Sequence, residues 1–180
     1  MVKLFNILQE ALDEAKQVGT LYHFTSYTGL LKIAQDGMKL KDFVAANIDK
    51  IKLDNYNQDT YVSFTRSRDL TSDTIYRQCR ITVDGTKLSN QYKISPYADT
   101  KAGYSRTTQD EAEERILVKK ERGYVDISKC VQTIDVLKII NIAYDDAEEA
   151  EPPSLANYYE LLKYLKEHNI AFNLVTKYTR

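Results

Sequence analysis

Three short segments hold the side chains whose types and spacing could do chemistry. In "LYHFT", residues 21–25, His23 and Thr25 lie two apart in an apolar-polar alternation. In "YVSFTRSRD", residues 61–69, Ser63 and Thr65 alternate with Val62, Phe64 and Arg66. In "DEAEERILV", residues 110–118, Glu111, Glu113 and Arg115 alternate with Glu114, Ile116 and Val118. On a strand, side chains two apart share a face. His23 with Thr25 then presents an imidazole and a hydroxyl together, a pair suited to the edges of a ribose or an amide. Arg66 at the end of its strand suits a diphosphate, because a guanidinium binds phosphate bidentately. A carboxylate held over a sugar can accept a ribose hydroxyl and stabilise positive charge on the ring, as in glycosyl transfer.

Each segment also has a plainer explanation. His23 could be a half-buried histidine bonded to a backbone carbonyl. "YVSFT" could be a strand with one wet face. The acids could be a charged strand mouth at a sheet edge. His168, in "LKEHN" at a helix end, is expected to bond helix carbonyls.

Periodicity supplies the elements that must position these groups. Leu4, Ile7, Leu8, Ala11, Leu12 and Ala15 predict a helix over 3–17. Residues 20–25 predict a strand. Ser26 caps a following helix that buries Leu30, Leu31, Ile33 and Ala34 and ends at Gly37. Residues 41–59 are expected to be a partly helical or mobile loop. "TYVSFTR", 60–66, predicts a strand, and "CRITVDGTKL", 79–88, a strand into an Asp-Gly turn. Residues 89–109 look irregular. "EAEERILVKK" predicts a strand, and "TIDVLKIINIAY" a continuous apolar strand near the sheet centre. "LANYYELLKYLKEHN" predicts a helix burying Leu155, Tyr158, Leu161, Leu162 and Leu165, and "IAFNLV" a last strand. The order helix, strand, helix, several strands, helix, strand predicts an α+β domain with a mainly antiparallel or mixed, twisted sheet.

Bulk properties bound the function. At 180 residues the chain suffices for one domain with a sizeable core. A net charge of -1 gives no global field to attract nucleic acid or anionic membrane. Two distant cysteines, Cys79 and Cys130, make no disulfide framework and point to free thiols in a reducing compartment. Acids interrupt the first 20 residues, unlike a signal peptide. Nowhere does an apolar run approach the ~18 residues of a spanning helix. There is no Walker loop, no G-x-G-x-x-G, no zinc-spaced Cys/His set and no G-x-S-x-G elbow.

Together, "LYHFTSYTGLLKIAQDGMKL", "YVSFTRS" and "EAEERILV" resemble, in order and spacing over roughly residues 20–140, the ADP-ribosyltransferase superfamily of the histidine-first, DarT-like type. The resemblance implies one ADP-ribosyltransferase-like domain over 1–180: a split, twisted, mixed β-sheet core with flanking helices, a helix at 3–17 and a helix plus strand at 154–176. It implies a transferase that takes NAD as substrate, releases nicotinamide and modifies a macromolecule, protein or nucleic acid, with no metal and no membrane. His23 would hold the nicotinamide-side ribose, and Thr25 would help seat the nicotinamide amide or the adjoining backbone. Ser63 and Thr65 would support the cleft and the acid, Arg66 would reach the diphosphate, and Tyr22 or Tyr61 would offer a stacking face. Glu113 would steady the oxocarbenium-like transition state, with Glu114 as its rival. Glu111 would orient or deprotonate the acceptor. Tyr92, Tyr97, Tyr104 and Arg106 fall where relatives place an acceptor-reading loop. The implied setting is the cytoplasm of a bacterial host, or a phage particle assembled there. Two other classes remain: the same fold as a binding module without turnover, and an RNA-phosphotransferase-like protein, against which Glu111, Glu113 and Glu114 weigh.

Overall fold

The computed structural model describes residues 19–41, 61–66, 77–96, 113–118, 123–139 and 155–176. The elements are β1 (Thr20–Thr25), α1 (Tyr27–Gln35), β2 (Lys39–Lys41), β3 (Tyr61–Thr65), β4 (Cys79–Asp84), α2 (Gly85–Ser89), β5 (Ile94–Pro96), β6 (Glu113–Leu117), β7 (Tyr124–Asp126), β8 (Val131–Leu137), α3 (Leu155–Glu167) and β9 (Asn173–Val175). Seven strands form one sheet in the order β5-β6-β3-β1-β4-β8-β9, and β2 pairs with β7 in a second, small sheet. Every pairing is antiparallel except β8 with β9, so the class is α+β with a mixed sheet. The three segments with chemical potential are neighbours: β6, β3 and β1 lie side by side.

One sheet face is the core face. Leu21, Val62, Phe64, Cys79, Ile81, Val83, Ile94, Ile116, Ile134 and Val136 are buried there in one cluster with the apolar sides of α1 and α3. Each fully buried Leu or Ile contributes about 1.5–3 kcal/mol. Helix α1 forms because Ser26 is extended and its Oγ accepts the Gly29 N–H at 3.0 Å, while Leu30, Leu31, Ile33 and Ala34 recur at helical spacing. Tyr27 locks the helix to the sheet. Its N–H donates to Gln78 Oε1 at 2.8 Å and its hydroxyl to the Leu137 carbonyl at 2.6 Å. At the other end Gly37 and Met38 both take left-handed backbone, with φ of 72° and 62°. That pair turns the chain back into β2.

Several expectations are corrected. Asp84-Gly85 begins a helix rather than a turn, because the Asp84 carboxylate caps the Lys87 N–H at 3.0 Å. A strand, β5, occupies part of the stretch expected to be irregular. β2 and β7, too short for a clear alternation, had no sequence signal. β8 ends at Leu137 and lies one strand from the edge, with only β9 beyond it. Leu155, expected in the core, is 58 % exposed, whereas Tyr158, Leu161 and Leu165 are buried. His168 bonds the Tyr164 carbonyl at 3.0 Å, as its helix-end position implied. Cys79 and Cys130 are free and buried. The helix over 3–17 and the acidic stretch before Leu155 lie outside the described residues, as does the loop expected over 41–59 apart from Lys41, which ends β2. Among those residues, no helix is long and apolar enough to cross a membrane.

Candidate functional site

The strand registers sort the candidates into two rows. Directly paired residues on neighbouring strands share a face. Tyr22 pairs with Thr65, and Phe64 pairs with Glu114. His23 pairs with the core residue Ile81. One row therefore holds His23, Thr25, Phe64, Arg66 and Glu114, on the core face. The other holds Tyr22, Ser63 and Thr65, with Glu113 at the register position opposite Thr65. The expected convergence of His23 and Thr25 with Ser63 and Thr65 on one ligand is thereby corrected, because the two pairs occupy opposite faces of the sheet. Glu111 lies outside the described residues.

His23 is the best-defined member. Its Nδ1 lies 3.0 Å from the Ser63 carbonyl oxygen. A carbonyl only accepts, so Nδ1 carries the proton and Nε2 is left as an acceptor. No described residue bonds Nε2. Burial pushes the imidazole's pKa below its ordinary 6.5, and the bond to Ser63 opposes that only in part, so the ring is neutral at pH 7. Ser63 thus serves through its backbone. The plainer explanation of His23 holds in this respect, yet the ring also lines a cavity.

That cavity, of about 390 Å³, lies between β1, α1 and β2. His23, Thr25 and Gly29 form one wall. Gly29 makes the close approach possible: a Cβ at this position would collide with the Thr25 hydroxyl as it stands, so any larger residue requires Thr25 to move. The remainder is lined by Lys32, Lys39, Lys41 and Asp36 together with Ile33, Gln35 and Leu40, and its three cations were missed by sequence reasoning. One signal was present. Gly29, Lys32 and Asp36 follow helical spacing on the side of α1 away from its apolar stripe.

Arg66 and Glu114 meet each other. Arg66 Nε donates to Glu114 Oε1 at 2.6 Å, and the Glu114 side chain is 5 % exposed against 41 % for Arg66. Neither lines the cavity. Phe64 stands between this pair and His23, its ring centroid 5.9 Å from the imidazole. Two strand spacings, about 10 Å, separate the His23 and Glu114 rows.

On the opposite face, Tyr22 lies under the Arg80 guanidinium at 5.5 Å, and Arg80 forms a buried pair with Asp135 at 2.7 Å. The Tyr61 ring is covered by Arg115 at 3.7 Å. Each of the two tyrosines expected to stack on a ligand therefore has an arginine over one face of its ring. Tyr92, placed in the expected acceptor loop, accepts the Asp126 N–H at 2.9 Å and packs against the core. Tyr97, Tyr104 and Arg106 lie outside the described residues. Among those residues no group of three or more His, Cys, Asp or Glu could hold a metal ion.

No family model matches the sequence, and no curated protein or solved structure matches it.

Proposed function

We propose that this chain is an NAD-dependent mono-ADP-ribosyltransferase, with His23, Thr25 and Glu114 as its working groups. One observation carries this: His23, neutral and with Nε2 free to accept, lies beside Thr25 on a cavity wall, on the same sheet face as a buried glutamate two strands away. The neutral imidazole accepts a hydroxyl of the nicotinamide-side ribose, and Thr25 meets the amide. The C–N bond between that ribose and nicotinamide breaks with its electron pair leaving on nicotinamide, which becomes neutral. A carboxylate steadies the positive charge left on the ribose. The acceptor's nucleophile then bonds to the anomeric carbon and loses its proton. The shared face favours Glu114 over Glu113 for the carboxylate. Arg66, paired with Glu114, positions that acid rather than reaching a diphosphate.

A second reading has its own support. Glu114 is engaged by Arg66 and lies off the cavity wall, as befits a scaffold that binds its ligand without turnover, such as a component of a phage particle. The discriminating experiment incubates the protein with NAD labelled in its ADP-ribose half and host lysate, then separates protein, DNA and RNA. Label on one fraction, lost in Glu114→Gln and kept in Glu113→Gln, supports the transferase. Loss in Glu113→Gln alone returns the role to Glu113. A rise in melting temperature with NAD but no transferred label supports the binding module.

A further inference from the structure

We infer that the lysine-lined end of the cavity, Lys32, Lys39 and Lys41, is an anion site for the phosphates of a ribose-bearing ligand whose sugar lies against His23 and Thr25. This rests on the reading above for the identity of the ligand as NAD, but it requires binding only, not transfer.

Three ammonium groups face a single carboxylate in the wall, an excess of two positive charges. Within the lining, only Lys41 forms an ion pair, with Asp36 at 2.6 Å. Lys32 has no ionic partner among the described residues. Lys39 is held over the Tyr124 ring, 4.8 Å from its centroid, a contact that places the ammonium without cancelling its charge. Asp126, opposite Lys39 in the β2–β7 ladder, interacts electrostatically with that ammonium but is bonded to the Ser128 N–H and hydroxyl and does not line the cavity, so the lining itself keeps its positive excess. The neighbouring wall carries the opposite chemistry: an uncharged acceptor on His23, a hydroxyl on Thr25 and the apolar side of Ile33. A ligand that satisfies both ends joins a hydroxyl-rich neutral part to an anionic part. A ribose phosphate has that composition, and a diphosphate matches the charge excess. The backbone geometry holds the two ends together, since the left-handed turn at Gly37 and Met38 brings β2 alongside α1.

The test is calorimetric titration of the full chain with adenosine, AMP, ADP-ribose and inorganic pyrophosphate at low and high salt. Wild type is compared with Lys32→Gln, Lys39→Gln and, as a control on α3, Lys163→Gln. The expected order is ADP-ribose tightest, AMP weaker and adenosine weakest. Each cavity variant should weaken ADP-ribose roughly tenfold, the scale of one charge-assisted contact. Adenosine binding and melting temperature should not change in those variants, nor ADP-ribose binding in Lys163→Gln. Raised salt should weaken ADP-ribose and spare adenosine. Equal ADP-ribose affinity in wild type and both cavity variants overturns the assignment, as does failure of ADP-ribose and pyrophosphate to bind at millimolar concentration. The two readings fail separately. ADP-ribose binding that depends on the lysines, without transfer from NAD, leaves the anion site standing and removes the transferase. Transfer with unchanged KM for NAD in the lysine variants does the reverse.

Discussion

His23 donates its Nδ1 proton to the carbonyl of Ser63 on the adjacent strand, at 3.0 Å, and so turns Nε2 into a fixed acceptor on the cavity wall. A residue expected to work through its hydroxyl works through its backbone instead.

This bond and the burial of the ring give a pH dependence. In the unfolded chain His23 titrates near 6.5, and in the fold its pKa lies lower. Above 6.5 both states are neutral there and His23 adds no pH dependence. As pH falls through 6.5 the unfolded chain takes up a proton before the folded chain does, so stability declines. Thermal melts across this range should show that decline in wild type and its loss in His23→Asn, whose amide can still donate to Ser63. Parallel curves for the two proteins would exclude the depressed histidine. Ligand affinity should fall at lower pH still, once Nε2 itself is protonated.

Arg66 and Glu114 form a half-buried ion pair. Truncating the arginine removes a charged partner from a carboxylate that has almost no contact with water. A fully buried pair broken this way costs about 3–5 kcal/mol, but Arg66 is 41 % exposed, so we expect about 1–3 kcal/mol for Arg66→Ala. Glu114→Gln should cost less, because it removes the buried charge together with its mate's attraction. Denaturant unfolding of both variants measures the difference. Equal stability of wild type and Arg66→Ala would show that the contact contributes nothing.

Gly29→Ala inverts the usual rule. Alanine in a helix is normally better than glycine by about 1 kcal/mol. Here the added methyl meets the Thr25 hydroxyl, so the variant should be less stable and should lose ligand, since Thr25 must rotate away from the cavity. With Thr25→Ala present the closest obstruction is gone and the Ser26 Oγ contact, at 3.3 Å, is the tightest left, so Gly29→Ala should become close to neutral. A double-mutant cycle reads the coupling. Additive effects would show that the close approach has no energetic weight.

Both thiols should be inert in the native state. Burial raises the pKa of Cys79 well above its ordinary value, and burial with the nearby Asp84 carboxylate raises that of Cys130. A thiol reagent added to native protein at neutral pH should react only on the unfolding timescale. Rapid labelling of either cysteine would contradict the packing of β4 or of the turn before β8.

The elements that surround the site were legible in the residues themselves. β1, α1, β3, β4, β6 and α3 arise from alternation or helical spacing together with local caps such as Ser26, and those are contacts within a few residues of chain. Period two also established that His23 goes with Thr25, and Ser63 with Thr65. What it left open was whether those pairs face each other. Shifting one strand by a single residue exchanges its faces, and no local pattern in β1 or β3 states which residue lies opposite which. Only the assembled sheet, by pairing Tyr22 with Thr65 and Phe64 with Glu114, put the imidazole on the face of Glu114 and the Ser63 and Thr65 side chains on the other. The lysine wall was hidden for a related reason: β2 is too short to announce itself, and its cations line the cavity only when a left-handed turn folds them back against α1. Local stereochemistry determined the strands and helices; long-range pairing, driven by burial of the apolar rows, decided which chemical groups share a cavity.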